Sequence, residues 1–177
     1  PAALSTRASP PSPVRPAFRC VVQDADLSCG PVRVNLMPGA SNADVAQLLY
    51  AVTRSGADIF LSRDSAGFDL PVGERGSRLS GGQRSLLVLA RALVSPSKML
   101  FLDEPTGAMD TQTEGYFIEH LKNALTAEQT LIVSTHRHQM LSIINRLIVI
   151  DGGRIVADGP RDEILGRMTK AAQEQKQ

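Results

Sequence analysis

The sequence has 177 residues with a formal net charge of +1, and 42% of its residues are hydrophobic. This length and composition allow one domain with a buried core. Aromatic residues make up only 4%, tryptophan is absent and no basic stripe is visible, which argues against a nucleic-acid-binding surface. The longest apolar stretches are far shorter than the roughly 20 residues that a membrane helix requires. Two cysteines, Cys20 and Cys29, are interpreted as free thiols.

Residues 1–17 are rich in proline and contain no acidic residue, so they are predicted to be disordered. A short apolar strand, Phe18 to Val22, ends at Gln23, where a loop begins. A second extended piece is predicted near Val32 to Leu36. Ser41 to Asp44 has the residues of a helix start, and the helix should end at Gly56. Four apolar residues fall on one face of that helix: Val45, Leu48, Leu49 and Val52.

Glu74 and Arg75 lie between two glycines in the run Val72 to Gly76, which indicates an exposed loop. The residues alone leave open whether this loop contacts a partner or is a solvated turn. It leads directly into LSGGQ, Leu79 to Gln83, and an apolar run through Leu93. A serine and two glycines that open a helix leave backbone N–H groups pointing outward, and the helix dipole adds positive charge there. The pattern therefore predicts an anion site.

Met99 to Leu102 is a continuously apolar strand that ends at Asp103 and Glu104. Two carboxylates beside a phosphate-like site imply a metal ion and a positioned water. Further predicted elements follow in chain order: a helix from about Thr111 to Leu125, a second buried strand from Thr130 to Val133 that ends before His136, a short helix from Met140 to Ile144, a hairpin of Leu147–Ile150 with Arg154–Ala157, and a last helix beginning at Pro160 to Leu165.

Together these segments resemble the ATP-binding cassette (ABC) ATPases over about residues 18–168. In that comparison Leu79 to Gln83 is the signature motif, Met99 to Asp103 is Walker B, Gly107 to Asp110 is the D-loop and His136 is the switch histidine. Gln23 matches the Q-loop. The resemblance implies an α/β fold of the P-loop NTPase (RecA-like) class, and ATP and Mg²⁺ as cofactors.

The resemblance also implies a role for each site residue. Asp103 would hold Mg²⁺, Glu104 would accept a proton from the attacking water, and His136 would contact the γ-phosphate. Gln23 would link metal and water to the transport partner. The signature residues Leu79, Ser80, Gly81, Gly82 and Gln83, together with Asp110, would serve the nucleotide interface, with Ser80 to Gly82 cradling ATP held by a second cassette in a head-to-tail dimer. His120 and His138 are expected to be ordinary surface histidines.

A P-loop, GxxxxGK[ST], is absent from the sequence, since none of its four lysines follows a glycine-rich turn. The chain is therefore expected to be a partial cassette: a helical subdomain at about 37–94, a Walker B and H-loop core at about 97–168 and a polar tail at 169–177. Three explanations stay open, namely a fragment of a longer exporter ATPase, a truncated or degenerate gene product, and a split cassette completed by another chain. The isolated chain is expected to be inactive and poorly stable.

The function implied is that of an exporter ATPase domain at the cytoplasmic face of the inner (plasma) membrane. Membrane-spanning domains would contact the Gln23 loop and the Val72–Gly76 loop, and the run around this second loop looks most like type I secretion ATPases. The alternative is a non-catalytic cassette that only offers its signature motif to a partner ATPase. A chromosome-maintenance or DNA-repair type is disfavoured because no heptads separate Gln23 from Ser80.

Overall fold

The computed structural model describes residues 18–21, 26–40 and 42–174, apart from the side chains of 171–174. The chain divides into two compact units, the first ending at His136 and the second starting at Arg137. Gln23 and the predicted disorder of residues 1–17 lie outside the described residues. Among the described helices, none has the length and apolarity needed to cross a bilayer.

The first unit contains a three-stranded parallel sheet in the order β1 (Phe18–Val21), β2 (Met99–Asp103), β3 (Thr130–Ser134). Leu100 and Leu102 of the central strand are buried, in keeping with the predicted apolar strand. Because all three strands run the same way, their carboxyl ends lie at one edge of the sheet. That edge carries Asp103, which is in register with Ser134 of β3.

The prediction that β3 is a buried strand was wrong. Its residues alternate between exposed and half-buried, and Ile132 is 41% exposed. The physical reason is its position, since β3 is the edge strand of the described sheet and pairs with β2 alone. An apolar run reports β propensity but cannot tell an edge strand from a central one.

The described residues of this unit form five α-helices: α1 (Val32–Leu36), α2 (Val45–Ser55), α3 (Asp58–Leu61), α4 (Gly81–Leu93) and α5 (Thr111–Ala124). Helix α4 packs against α1, α2, α5 and β1. The largest buried side chains include Leu36, Leu87, Leu89, Phe117 and Leu121, which make the helices and the sheet one core. Short 3₁₀ turns occur at Met37–Gly39, Gly67–Asp69 and Glu74–Gly76.

The segment Val32–Leu36 is a helix and not the extended piece predicted from the sequence. Its buried residues are Val32, Asn35 and Leu36, at the i, i+3, i+4 spacing of a helical face. The buried Asn35 side chain accepts a hydrogen bond from Ser28 N at 2.8 Å and donates to the carbonyls of Ser28 and Pro31. These local bonds satisfy the backbone in place of a strand ladder.

Helix α2 begins and ends near its predicted limits, but Asp44 is its N-cap. The Asp44 carboxylate accepts from Gln47 N at 2.8 Å, and Gln47 Oε1 accepts from Asp44 N, which completes a capping box. Gly56 ends the helix with a left-handed φ of +80°. The buried face consists of Leu48, Ala51, Val52 and Ser55, whereas two of the four residues predicted on it, Val45 and Leu49, are 66% and 50% exposed.

The second unit contains the predicted antiparallel hairpin, β4 (Arg146–Asp151) with β5 (Arg154–Pro160), followed by α6 (Arg161–Glu174). A 3₁₀ turn at His138–Ile143 replaces the predicted short helix. Pro160 is the last strand residue and directly precedes α6, where its fixed φ and missing N–H are tolerated. Ile164 of α6 is buried, and Arg146 pairs with Asp158 across the hairpin at 2.8 Å.

Candidate functional site

The carboxyl edge of the sheet brings Glu104 and His136 together. Glu104 directly follows β2, and its backbone N–H donates to the carbonyl of Ser134 in β3 at 2.9 Å. His136 lies two residues after Ser134, and its Nδ1 is 2.8 Å from Glu104 Oε1. The Glu104 side chain is 19% exposed and that of His136 is 74% exposed. The pair predicted from two separate strand ends is therefore in hydrogen-bond contact, with the carboxylate sheltered and the imidazole facing solvent.

The backbone of Glu104 adopts a left-handed conformation with φ of +45°. Non-glycine residues rarely occupy this region because Cβ crowds the following carbonyl. The Glu104 carbonyl accepts from Gly107 N at 3.1 Å, so the chain turns sharply after the strand. The other carboxylate oxygen, Oε2, is buried and has no hydrogen-bond partner among the described residues. Such an oxygen is ready to accept a hydrogen bond from a water or a ligand.

Asp103 is half-buried at the last position of β2, next to Glu104. Among the described residues, no group of three or more His, Cys, Asp or Glu side chains is placed to form an all-protein metal cage. Mg²⁺ at nucleotide sites typically uses one or two carboxylates, with waters and phosphate oxygens for the rest. One half-buried aspartate beside a carboxylate with an unpartnered oxygen fits that donor set.

The signature segment forms the N-terminus of α4, as the sequence predicts. Ser80 is the N-cap, its Oγ accepting from Gln83 N at 3.2 Å while Gln83 Oε1 accepts from Ser80 N at 2.9 Å. Leu79 is buried and Ser80 is exposed. The capping box thus engages the amides of Ser80 and Gln83 and leaves those of Gly81 and Gly82 at the positive end of the helix. This end therefore keeps the features that an anion needs.

The two glycines of the signature pack against the segment 107–113 of the same unit. A Cβ added at Gly81 would lie 3.0 Å from the carbonyl oxygen of Ala108. A Cβ added at Gly82 would lie 2.5 Å from Thr113 Cγ2, a separation that real Cβ atoms do not reach. Gly82 is buried. Close packing by itself therefore requires a glycine at this position, which sequence reasoning had assigned to phosphate binding alone.

Asp110 is the N-cap of α5. Its Oδ1 accepts from the amides of Gln112 and Thr113 at 3.0 and 2.9 Å, and its Oδ2 accepts from Thr113 Oγ1 at 2.7 Å. The hydrogen bonds from Thr113, first from its amide and then from its hydroxyl, hold the pKa of the Asp110 carboxyl below its usual value. Both carboxylate oxygens of this predicted interface residue are thus committed within the chain.

The Val72–Gly76 loop presents Glu74 and Arg75 to solvent, as predicted, while Val72 and Gly76 are buried. Arg75 adopts a left-handed φ of +50°, and Gly76 follows with φ of +74°. Arg75 lies 3.9 Å from the carboxylate of Asp26, and both side chains are exposed. The loop therefore displays two opposite charges on a tight turn with two successive left-handed residues.

Sequence reasoning missed an arginine that ties the signature helix to the segment after Gln23. Arg91 of α4 donates from Nε to the carbonyl of Asn35 at 2.7 Å, and from its terminal nitrogens to Asn35 Oδ1 and the carbonyl of Asp26 at 3.3 Å each. Burial lowers the pKa of Arg91 below its usual value. The guanidinium thus fixes α4 against α1 through oxygen acceptors of the amide type.

Sequence reasoning also missed Glu114, which is 2% exposed in α5. Thr106 is fully buried, and its hydroxyl donates to Glu114 Oε1 at 3.0 Å. A signal was available in the sequence, because Glu114 precedes Phe117, Ile118 and Leu121 at i, i+3, i+4 and i+7. An acid on an apolar helical stripe points to a buried carboxylate with partners.

Parallel α/β sheets bind ligands at the carboxyl ends of their strands, and glycine-opened helix starts bind anions, so the Glu104–His136 pair and the start of α4 indicate the class of α/β proteins that bind phosphate-bearing ligands. A family model described as "ABC transporter" matches residues 16–107. The multidrug efflux ATP-binding/permease protein of Mycobacterium bovis is 35% identical over 154 residues, covering 87% of this chain and 13% of its own length. The mycobactin import ATP-binding/permease protein of Mycolicibacterium smegmatis is 38% identical over 154 residues, covering 85% of this chain and 26% of its own length.

Among solved structures, a bacterial Atm1-family ABC exporter with ATP bound superposes with a TM-score of 0.80 at 31% identity, covering 87% of this chain and 27% of that one. The chain belongs to the ABC transporter family and has the ABC cassette fold of the P-loop NTPases. It corresponds to part of the ATP-binding domain of ABC transporters. It spans only about an eighth to a quarter of the length of these relatives.

Proposed function

We propose that this chain is the Walker B and signature part of an exporter ATPase domain, in which ATP hydrolysis drives transmembrane transport. The single observation that carries the proposal is the contact of 2.8 Å between Glu104 and His136 at the carboxyl edge of a parallel sheet, next to Asp103. This arrangement supports the proposed roles of Glu104 as a base, His136 as a contact for phosphate and Asp103 as a metal-binding carboxylate.

In the proposed mechanism the sheltered Glu104 carboxylate accepts a proton from the attacking water, and its unpartnered Oε2 is the oxygen available for that hydrogen bond. The His136 imidazole orients Glu104 through Oε1 and presents its other nitrogen toward solvent, where the γ-phosphate would lie. Asp103 and Gln23 would hold Mg²⁺. When bound, this ion would neutralise the charge of the phosphates.

The signature residues act on a second nucleotide in this proposal. Ser80 and the amides of Gly81 and Gly82 would contact the γ-phosphate of ATP held by a partner cassette, while Leu79 and Gln83 shape and cap the helix start. The Asp110 carboxylate would contribute to this interface indirectly, by capping the N-terminus of α5. The two functions need different partners, because the sequence contains no P-loop of its own.

The first test measures binding of Mg–ATP to the purified chain by calorimetry, and its turnover by phosphate release. Without P-loop amides and lysine, we expect no affinity better than about millimolar, which corresponds to roughly 4 kcal/mol of binding free energy, and no turnover. Micromolar binding with hydrolysis that Glu104→Gln abolishes would contradict this expectation. It would also show that the chain is a complete enzyme.

The second test supplies the missing parts. A related exporter cassette with an intact P-loop is inactivated by a substitution in its own signature serine and then mixed with this chain. We expect ATP hydrolysis to return, because Ser80 to Gly82 would complete the partner's site. Ser80→Arg in this chain should abolish the recovered activity, whereas Glu104→Gln should leave it unchanged, since the partner provides the base of that composite site.

The outcome that rejects the signature role is hydrolysis that does not recover although sedimentation shows the two cassettes associated. Recovery that survives Ser80→Arg would reject it as well. The alternative function, a non-catalytic cassette that only offers its signature face, also predicts recovery in this mixture, so the assay tests the signature role that the two functions share.

The membrane-spanning partner domains would contact the Gln23 loop and the Val72–Gly76 loop, and the chain would then lie at the cytoplasmic face of the membrane. The finer class proposed from the run around this loop is the ATPase of a type I protein secretion system. The relatives named above carry multidrug efflux and mycobactin import in their names. Cross-linking from a cysteine at Glu74 to a co-expressed membrane domain tests the contact, with a cysteine at Glu128 as the exposed control.

A further inference from the structure

We propose that Glu114 is a positioning residue for the turn that carries Glu104. Its buried hydrogen bond with Thr106 clamps this turn and the segment 107–110 onto helix α5. The inference rests on the proposed function only for what Glu104 does chemically. The clamp itself is a statement about this chain and is tested without nucleotide.

The turn needs a clamp because its first residue is strained. Glu104 has a φ of +45°, a strained conformation for a residue with a Cβ, so it persists only where the surroundings determine it. On one side the Glu104 amide is fixed to the Ser134 carbonyl of β3 at 2.9 Å. On the other side, two residues along the chain, Thr106 is fixed to Glu114 at 3.0 Å. The strained residue therefore lies between two anchors on different elements.

The second anchor, the Thr106–Glu114 hydrogen bond, is buried and supported by the surrounding helix. Thr106 is 0% exposed and Glu114 is 2% exposed, so a broken hydrogen bond would leave polar groups away from water. Glu114 lies in the first turn of α5, where the helix dipole favours a carboxylate. Two neighbours on the same stripe, Phe117 and Leu121, are fully buried and hold the helix face inward. The packing of α5 therefore holds the Glu114 carboxylate in place independently of its hydrogen bond with the Thr106 hydroxyl.

Thr106 transmits this anchor in two directions. Its carbonyl accepts from Met109 N at 3.0 Å, which shapes the segment 107–110, and Ala108 of that segment packs against Gly81 of the signature helix. Thr106 also directly precedes Gly107, whose amide donates to the Glu104 carbonyl. The position of Thr106 therefore helps to fix that carbonyl as well. The Thr106–Glu114 pair therefore positions Glu104, the proposed base of one half-site, and also the segment 107–110, which supports the signature helix of the other half-site.

The test uses amide hydrogen exchange of the ¹⁵N-labelled full chain and follows Gly107 N and Met109 N. Glu114→Leu removes the acceptor while filling the space, and Glu114→Gln keeps an oxygen acceptor. We expect exchange at the two amides to accelerate about fivefold or more in the leucine variant and to stay within about twofold in the glutamine variant. The amide of Leu125, bonded to Leu121 at the far end of α5, is the internal control and should not change.

A second readout reports the position of Glu104 directly. The imidazole ¹⁵N resonances of His136 depend on its hydrogen bond to Glu104, so they should shift in Glu114→Leu and return in Glu114→Gln, while those of His138 stay constant. A purely structural role for Glu114 would loosen the first unit uniformly and leave the His136 resonances of the folded chain unchanged.

Three results would overturn the proposal: unchanged exchange at Gly107 and Met109 in the leucine variant, equal acceleration at Leu125, or a glutamine variant that behaves as the leucine variant does. Should Glu114→Leu fail to fold, Thr106→Val removes the donor with little change in volume and must give the same local effects. Recovery of hydrolysis in the mixed-cassette assay is independent of these measurements. A failure of the proposed function and a failure of the clamp are therefore distinguishable.

Discussion

Replacing Glu104 by glycine should stabilise this chain relative to replacing it by alanine. Both substitutions remove the contact with His136, so their difference isolates the backbone. At a φ of +45° an L-residue costs about 1–2 kcal/mol, which glycine does not incur. Glycine also makes the unfolded chain more flexible, which offsets about 0.4–1 kcal/mol of this gain. We expect Glu104→Gly to be the more stable variant by roughly 0.5–1 kcal/mol.

The assay is urea unfolding of the two variants in dilute solution, followed by far-ultraviolet circular dichroism, with equal slopes required before the midpoints are compared. A matched control is Glu119, an exposed residue inside α5. There the ordinary helical backbone makes glycine about 1 kcal/mol less favourable than alanine, so the sign of the difference is reversed. The opposite signs at the two glutamates separate local strain from a general effect of glycine.

An alanine variant that equals or exceeds the glycine variant in stability would refute the strain argument. The left-handed backbone at position 104 would then accept a side chain with no loss of stability. The Thr106–Glu114 hydrogen bond would in that case not be holding a strained residue in place. The same sign at both glutamates would be equally damaging, since it would trace the result to the unfolded state.

Two further predictions concern the start of α4 and α5. Gly82→Ala should destabilise the chain by about 1–3 kcal/mol because the new Cβ would overlap Thr113 Cγ2. Adding Thr113→Ser should restore most of the lost stability, because it removes that methyl and keeps the hydroxyl bonded to Asp110. Urea unfolding midpoints measure both variants, and a Gly82→Ala variant as stable as the parent would contradict the overlap. Asp110→Asn should lower thermal stability at neutral pH, because the carboxylate is stabilised in the folded chain and its folded pKa is depressed. The difference in stability from the parent should be fully present above the unfolded pKa of about 3.9. It should vanish as the pH falls through the lower pKa of the folded state. A difference independent of pH would show that the charge of Asp110 is not involved.

Elements whose own residues specify both their period and their limits could be predicted from the sequence. Helix α4 has a serine cap and a long apolar run, and the central strand β2 ends at a change from apolar residues to acids. The hairpin in the second unit has two short apolar strands around Asp151-Gly-Gly. Each signal lies within about ten residues, so no distant contact was needed to read it.

Features that depend on distant contacts could not be predicted. The helix at Val32–Leu36 is fixed by Asn35, whose side chain bonds locally to Ser28 and Pro31 and also accepts from Arg91 of α4, which lies 56 residues further along the chain. The exposure of β3 follows from its place at the sheet edge, which the apolar run Thr130–Val133 does not encode. At the site, the sequence predicts Glu104 and His136, but the strained φ arises from the neighbouring strand and turn.

The glycine pair of the signature has two physical explanations, and they bear on which substitution is informative. Gly81 and Gly82 could be required for phosphate approach, yet Thr113 already crowds a Cβ at Gly82 and the Ala108 carbonyl crowds one at Gly81. Loss of activity after substituting either glycine would therefore report packing as much as nucleotide binding. Ser80 is exposed, and its Oγ accepts a hydrogen bond from the amide of Gln83. Substitution of Ser80, compared with a threonine that keeps the cap, therefore separates recognition of a partner's nucleotide from the folding of the helix start.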